Sequence, residues 1–447
     1  MFEQLLKYSL DRISSLERYY ETEAQNVMHV SEEGKSKHML GAMIEDFLRH
    51  LARSNEQERS SEQFKKFEKR VSKHIEVLET SEDENTKKIA YRFLSEEDAS
   101  KAGNIKEERT LYYQYAEMPS IHGCSVLMML VTRFEEFISH YLSELYIQFP
   151  HKYLDNQQLT FSEISSANIE EIKKNLVLRE VDLKMRESYK EWFKIFKAHG
   201  MTCNTFEQDL STLSEIYARR NIFVHNSGVV NPSYLLAVPD SKAKLGDKLS
   251  VDDSYMKTAF ETVYRIIFLM LIESSKLNKK TEDKYLLNIF TTLFDFMLRG
   301  KYTVCEPAYA VLSKKEVLNT EIKLMSQFDR WICIIAEKGL AEIESEIKAF
   351  DVSALSDLFK VAKEILLTEY NTANVLLSKL LTSDEIPSTI IEEWPLFMWY
   401  RESEEYKRLK EELPDKFGLE REEISEQECN DSDNVVMSEG EKAVACV

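Results

Sequence analysis

The sequence predicts an all-α protein: a central helical bundle flanked by an N-terminal helical module and a C-terminal, helical-repeat-like module. Three observations predict it. Gly (11) and Pro (8) are scarce in 447 residues, against a usual joint share of roughly 12%, so turns are few. Apolar residues recur at the three-to-four spacing of buried helix faces along most of the chain. Hydrophobic residues make up 43% and charged ones 30%, which is enough apolar surface for packed cores over a length of about three domains.

Composition also excludes. A net charge of −20 keeps the chain soluble and works against indiscriminate nucleic-acid binding, so any polynucleotide has to be met by a local basic surface. The six cysteines are scattered without a C-x-x-C spacing, which points to reduced thiols rather than disulfides or zinc. The apolar runs Val126–Val131 and Ile266–Ile272 fall far short of the roughly 18 residues of a membrane span. The N-terminus Met-Phe-Glu-Gln-Leu-Leu-Lys lacks the basic-then-apolar order of a signal peptide. A cytoplasmic protein with no membrane partner is expected, and no metal-ligand or cofactor motif is present.

Taken in order, residues 1–118 read as helices, with Leu5, Leu6, Ile13, Leu16 and Tyr20 on one face and Met39, Met43, Phe47, Leu48 and Leu51 on another. The pattern continues over Gln63–Thr80 through Phe64, Phe67, Val71, Ile75 and Leu78; residues 81–110, dense in charge, read as an exposed linker or a weakly packed helix. Ser120–Phe149 carries the broadest apolar face and is central in a bundle covering 119–278. After a loop, Asn168–His199 reads as one long helical stretch that inverts the sign of the chain, with Lys190, Lys194 and Lys197 on one face. Phe206–His225 is the next helix. Residues 233–250 read as a surface loop or short hairpin, with Asp252 or Asp253 capping a helix over Tyr255–Ser274 that is apolar on most sides. Residues 279–418 are helical again, and Tyr302, Cys305 and Leu312 share a pattern with Tyr370, Ala373 and Leu380, two copies at twice the 34-residue period of tetratricopeptide-type repeats. The aromatic segment Glu392–Arg401 is expected to cap this array. Residues 419–447 are acidic and poor in large apolar groups, the composition of a disordered tail.

The residues that look assembled for chemistry sit where the helix Phe206–His225 ends: Arg220, Asn221 and His225, followed by Asn226, Gly228 and Pro232, the residues that stop a helix. The imidazole of a histidine exchanges a proton near neutral pH and so can draw one from a ribose 2′-hydroxyl. Arginine offers a planar fork of donors matched to phosphate oxygens. Arg133 and His140 fall at a comparable spacing inside the earlier helix and read as a decoy, because no polar residue follows that arginine and no helix end follows that histidine.

Arg220-Asn221-x-x-x-His225 resembles the R-[N/D/H]-x-x-x-H signature of the HEPN superfamily, and the trailing Asn226-Ser227-Gly228-Val229-Val230-Asn231 is similar to the residues after that signature in toxin, abortive-infection and phage-defence members. Ser120–Phe149, with Phe134-Glu135-Glu136-Phe137 in its middle, is similar to the family's opening helix. The resemblance covers residues 119–278. It implies a helical bundle, a metal-independent endoribonuclease with Arg220, Asn221 and His225 as catalytic residues, an RNA substrate and a homodimer, in the setting of a toxin or anti-phage defence effector. Arg219 and the Lys190/Lys194/Lys197 face would supply positive surface for the RNA.

On an ideal helix Arg220 and His225 lie about 140° apart and roughly 7.5 Å apart in height, so one copy does not clamp a phosphate as an i,i+4 pair would; two facing copies would. The alternative is a catalytically inactive HEPN bundle in a scaffold that binds a protein or nucleic-acid partner, with Arg220 and His225 serving only the end of their helix. In either case the 279–418 module is expected to offer a surface to a regulatory partner.

Overall fold

Helix α1 (Phe2–Arg53) is 52 residues long, about 78 Å, and pairs antiparallel with α5 (Ile105–Gln148). The pairing is read from its contacts: Tyr8 meets His140 edge-on, Arg12 lies 3.4 Å from Glu136, Tyr20 stacks on His122, and His38 Nδ1 meets Glu108 at 2.6 Å. Along the middle of the pair the seam is built from small and polar residues. A Cβ at Gly34 would stand 2.3 Å from the Tyr115 ring and one at Gly41 2.5 Å from Glu108, so only glycine permits this approach. Pro119 lies inside α5 and has no N–H for the carbonyl of Tyr115 one turn earlier. Ser31 Oγ of α1 donates to that carbonyl instead, at 2.8 Å. The computed structural model describes residues 2–83, 86–155, 158–161, 168–201, 207–278 and 281–418.

Between the paired helices, at the C-terminal end of α1, the chain forms α2 (Glu56–Arg59), α3 (Glu62–Val71), an antiparallel hairpin of β1 (Ile75–Asp83) and β2 (Thr86–Phe93), and α4 (Glu96–Ala102). Ile44, Phe47, Leu48, Phe64, Val71 and Ile75 form its core, with Ile89, Tyr91 and Phe93 packed against it. The hairpin overturns two expectations. The helical pattern does not run on to Thr80, because α3 stops at Val71, and 81–110 is not a linker. The period switches from helical to two: Ile75 and Val77 pair with Phe93 and Tyr91 across the ladder, with a bulge between Val77 and Glu79. Alternation over Ile89-x-Tyr91-x-Phe93 is a strand signal that the surrounding charge conceals. The structure is 77% helical and 3% strand, so the all-α class holds.

After α6 (Pro150–Tyr153), the stretch expected as one helix from Asn168 is two, α7 (Ile169–Met185) and α8 (Tyr189–Ala198). Trp192 Nε1 donates to the Lys184 carbonyl across the break at 2.7 Å. Helix α9 (Glu207–Asn226) follows; Phe206, its expected first residue, lies outside the described residues. Residues 228–250 strap across α9: α10 (Pro232–Ala237) is followed by a return segment that pairs Val229 with Lys248, so a helix and a bridge stand where a loop or hairpin is expected. Asp252 caps α11 (Asp253–Ser274) by accepting from Tyr255 N at 2.8 Å, and every residue from Ile266 to Ser274 is buried. Helices α12 (Glu282–Leu298), α13 (Tyr302–Leu312) and α14 (Thr320–Lys338) complete this unit, with Phe296 edge-on to both Tyr264 and Phe268.

The chain divides into two compact units at Gly339/Leu340. The expected boundary at 118/119 falls within the continuous helix α5, and that at 278/279 falls inside the first unit. The second unit contains α15 (Glu344–Ala349), α16 (Asp357–Leu366), α17 (Tyr370–Thr382), α18 (Ser388–Glu393) and α19 (Glu404–Glu412). Its core includes Ile365, Leu377, Leu380, Phe397 and Tyr400. Trp394, Leu396, Phe397 and Tyr400 of the aromatic segment 392–401 are buried in this unit, where Arg401 donates to the carbonyls of Ile391 and Trp394. Tyr302 and Tyr370 each open a helix, but the two copies of their pattern belong to different units. The acidic segment 419–447 lies outside the described residues.

Candidate active site on helix α9

Helix α9 is anchored at both ends. Near its start Asp209 receives Arg265 of α11 at 2.7 Å. At its end Ser227 and Gly228 take left-handed backbone, and Gly228 N–H reaches back to the Ile222 carbonyl at 3.0 Å, the bond of a glycine-terminated helix. A Cβ on Gly228 would lie 2.6 Å from the Phe223 ring, so this turn depends on glycine twice over. Asn226 Nδ2 donates to the Val229 carbonyl at 2.6 Å and closes it.

Arg220 faces α5. Its Nη2 meets Glu135 Oε1 at 3.0 Å, and the guanidinium lies 5.5 Å from the centre of the Tyr217 ring. Nε of Arg220 is buried without a hydrogen-bond partner among the described residues, and the buried Tyr217 hydroxyl lies beside the Glu135 carboxylate. Burial pushes the Glu135 carboxyl above its ordinary range, opposed by the charge of Arg220. Burial, reinforced by the charge of Glu135, pushes the Tyr217 phenol well up. These groups line a cleft of about 360 Å³ together with Asn221, Tyr189 and Lys190. A second cleft of about 460 Å³, lined by Phe193, Lys194 and Lys197, shares Tyr189, Lys190, Ser214 and Ala237 with the first. Tyr189 stacks on Tyr217 at 5.4 Å and forms the wall between them.

The site residues expected from sequence separate into three groups. Arg220, Asn221, Lys190, Lys194 and Lys197 are brought to the joined clefts, with Lys194 also paired to Glu191 at 2.6 Å. His225 is exposed, lines neither cleft and makes no side-chain hydrogen bond with a described residue. Arg219 is not a surface cation: its side chain is 16% exposed, its Nε meets Glu215 at 2.7 Å, and its guanidinium lies 4.0 Å over the Tyr255 ring. Arg219 Nη1 also donates to the Ser250 carbonyl, so the side chain ties α9 to the strap and to α11. The decoy pair is engaged elsewhere, Arg133 with Glu136 at 2.9 Å and His140 against Tyr8.

Glu135, Tyr189 and Tyr217 were not among the expected site residues. For Glu135 the one available signal is a carboxylate between Phe134 and Phe137 on the most apolar helix, where a charge needs a partner. Among the described residues no group of three or more His, Cys, Asp or Glu side chains is placed to hold a metal ion, and no helix is long and apolar enough to cross a membrane. Compared with family models, curated proteins and solved structures, the chain matches none.

Proposed function

We propose that the chain is a metal-independent endoribonuclease of the HEPN type, acting as a homodimer in a toxin or anti-phage setting. The observation that carries the reading is Arg220, held by Glu135 at the edge of a lysine-lined cleft, with Asn221 beside it and a free His225 at the same helix end. In the proposed step His225 of one protomer takes the proton of a ribose 2′-hydroxyl and the 2′-oxygen attacks the adjacent phosphorus. The bond from phosphorus to the 5′-oxygen breaks, and that oxygen takes up a proton. The products are a 2′,3′-cyclic phosphate and a 5′-hydroxyl. Arg220 of the other protomer holds the phosphate and stabilises the charge that develops on it; Asn221 hydrogen-bonds the same group.

The test is RNA cleavage by the purified full chain in EDTA, followed by ligation of the products. Cleavage should persist, and the new 3′ ends should resist ligation until the cyclic phosphate is removed. Loss of cleavage in EDTA would end the metal-independent reading. The second reading is an inactive HEPN bundle acting as a scaffold; the neutralisation of Arg220 by Glu135 favours it, and it predicts RNA binding or partner binding without cleavage.

A further inference from the structure

The candidate site is not the chain's one inversion of charge. From Arg49 to His74, the end of α1 and the whole of α3, there are eight Lys/Arg against four Glu in a chain of net −20. Helix α3 buries Phe64 and Val71 and leaves Lys65, Lys66, Lys69 and Arg70 exposed. Arg53, Lys65, Lys69, Arg70 and Lys73 form no ion pair with a described side chain, whereas Lys66 pairs with Glu62 at 2.8 Å. Beside them a cleft of about 480 Å³ opens between α1 and α3, rimmed by Arg49, Arg53 and Arg109 and walled by His50, Phe64 and Phe67. Two of these arginines are partly neutralised, Arg49 by Glu45 at 2.7 Å and Arg109 by Asp46; Arg53 is not. His50 stacks on Phe64 at 5.5 Å, which gives the cleft a flat aromatic wall.

We propose that this tip of the α1/α5 pair is a second nucleic-acid-binding surface, with the α3 cations along the phosphates and a base taken against His50 and Phe67. Unpaired lysines and arginines release counterions from a polyanion, and a planar aromatic wall beside a guanidinium suits a nucleobase. A lipid surface fits less well, because the apolar residues of α3 are turned inward rather than presented for insertion. The tip also sets a length. Arg12 and Glu136 mark the level of the candidate site, and Arg49 lies 37 residues further along the same helix, about 55 Å. A nucleic acid that engages both ends has to be on the order of fifteen to twenty base pairs long.

The experiment uses the full chain and a fluorescein-labelled 2′-O-methyl RNA hairpin of about twenty base pairs, which binds but cannot undergo 2′-hydroxyl attack. Its outcome is therefore independent of whether the site on α9 is catalytic. Charge reversal at three exposed positions, Lys65→Glu with Lys69→Glu and Arg70→Glu, should weaken binding by tenfold or more at low salt. It should also flatten the dependence of log K on log salt by about two to three. Glu62→Lys, which adds a cation on the same helix, should tighten binding and guards against a triple variant that fails to fold. Affinity and salt slope unchanged in both variants would overturn the proposal. So would phosphatidylserine vesicles that bind the parent as tightly as the hairpin does and lose it in the triple variant, since the surface would then belong to a membrane.

Discussion

Arg220 and His225 sit five residues apart on one helix in unlike surroundings, so their substitution should report differently. His225 is exposed and without a described partner, so His225→Ala should leave thermal stability within about 0.5 kcal/mol of the parent while cutting RNA cleavage by about 10²–10⁴. Arg220→Lys should rescue poorly, because a point charge cannot reproduce the guanidinium fork, and should also loosen the contact to Glu135. Full cleavage by His225→Ala would remove it as the base. Glu135 adds a pH signature. Its carboxyl is raised by burial in the folded state, so the folded chain holds that proton more tightly than the unfolded one. The stability it contributes is present below the ordinary carboxylate range and is lost as pH rises through the raised value. Urea unfolding of Glu135→Gln should therefore show a shallower loss over that window than the parent; parallel curves would mean the carboxyl titrates normally. At this scale spacing and a helix stop single out Arg220, Asn221 and His225 in the sequence, and of these Arg220 and Asn221 line the cleft while His225 does not. The i,i+4 partner Glu215 is readable on α9 itself; what the sequence hides is the rest of the inward turn of Arg219, because the Ser250 carbonyl and the Tyr255 ring reach it only as the strap and α11 return to α9.

Among the elements, the pairing of α1 with α5 rests on a seam that hydrophobic periodicity does not reveal. Both helices have clear apolar stripes at their ends, but between them the contact is made by Ser31, Gly34, His38 and Gly41, residues that register as polar or neutral. The hairpin is missed for a related reason, since its alternating Ile89, Tyr91 and Phe93 stand among lysines and an arginine. Ser31 and Pro119 give this seam a test. If Ser31 serves the carbonyl that Pro119 leaves open, Ser31→Ala in the parent should cost about 1 kcal/mol by stranding a part-buried acceptor. In a Pro119→Ala background the restored N–H can bond Tyr115, so the same substitution should cost much less. A double-mutant cycle by chemical denaturation measures the difference. Additive effects would mean that Ser31 and Pro119 are independent.

For the whole molecule, a fragment of residues 1–339 should fold cooperatively, because it retains an entire compact unit. Residues 119–278 alone should not, since the cut severs α5 and removes Leu5, Leu6, Leu10 and Ile13 of α1 from the interior. Circular dichroism melts of the two fragments distinguish these outcomes, and a cooperative melt from 119–278 would restore the narrower bundle. The same scale decides the site. Arg220 opens on a cleft that His225 does not line, so under the proposed function the two meet only across two copies, and light scattering should show a dimer. Complementation tests the pairing directly. Arg220→Ala and His225→Ala should each be inactive alone. Mixed in equal amounts and allowed to exchange, half of the dimers would be hybrids, and each hybrid would keep one site with an intact arginine from one protomer and an intact histidine from the other. Activity should return to about a quarter of the parent's. If the two residues instead acted within one chain, no hybrid would contain a complete site and the mixture would stay as inactive as its components.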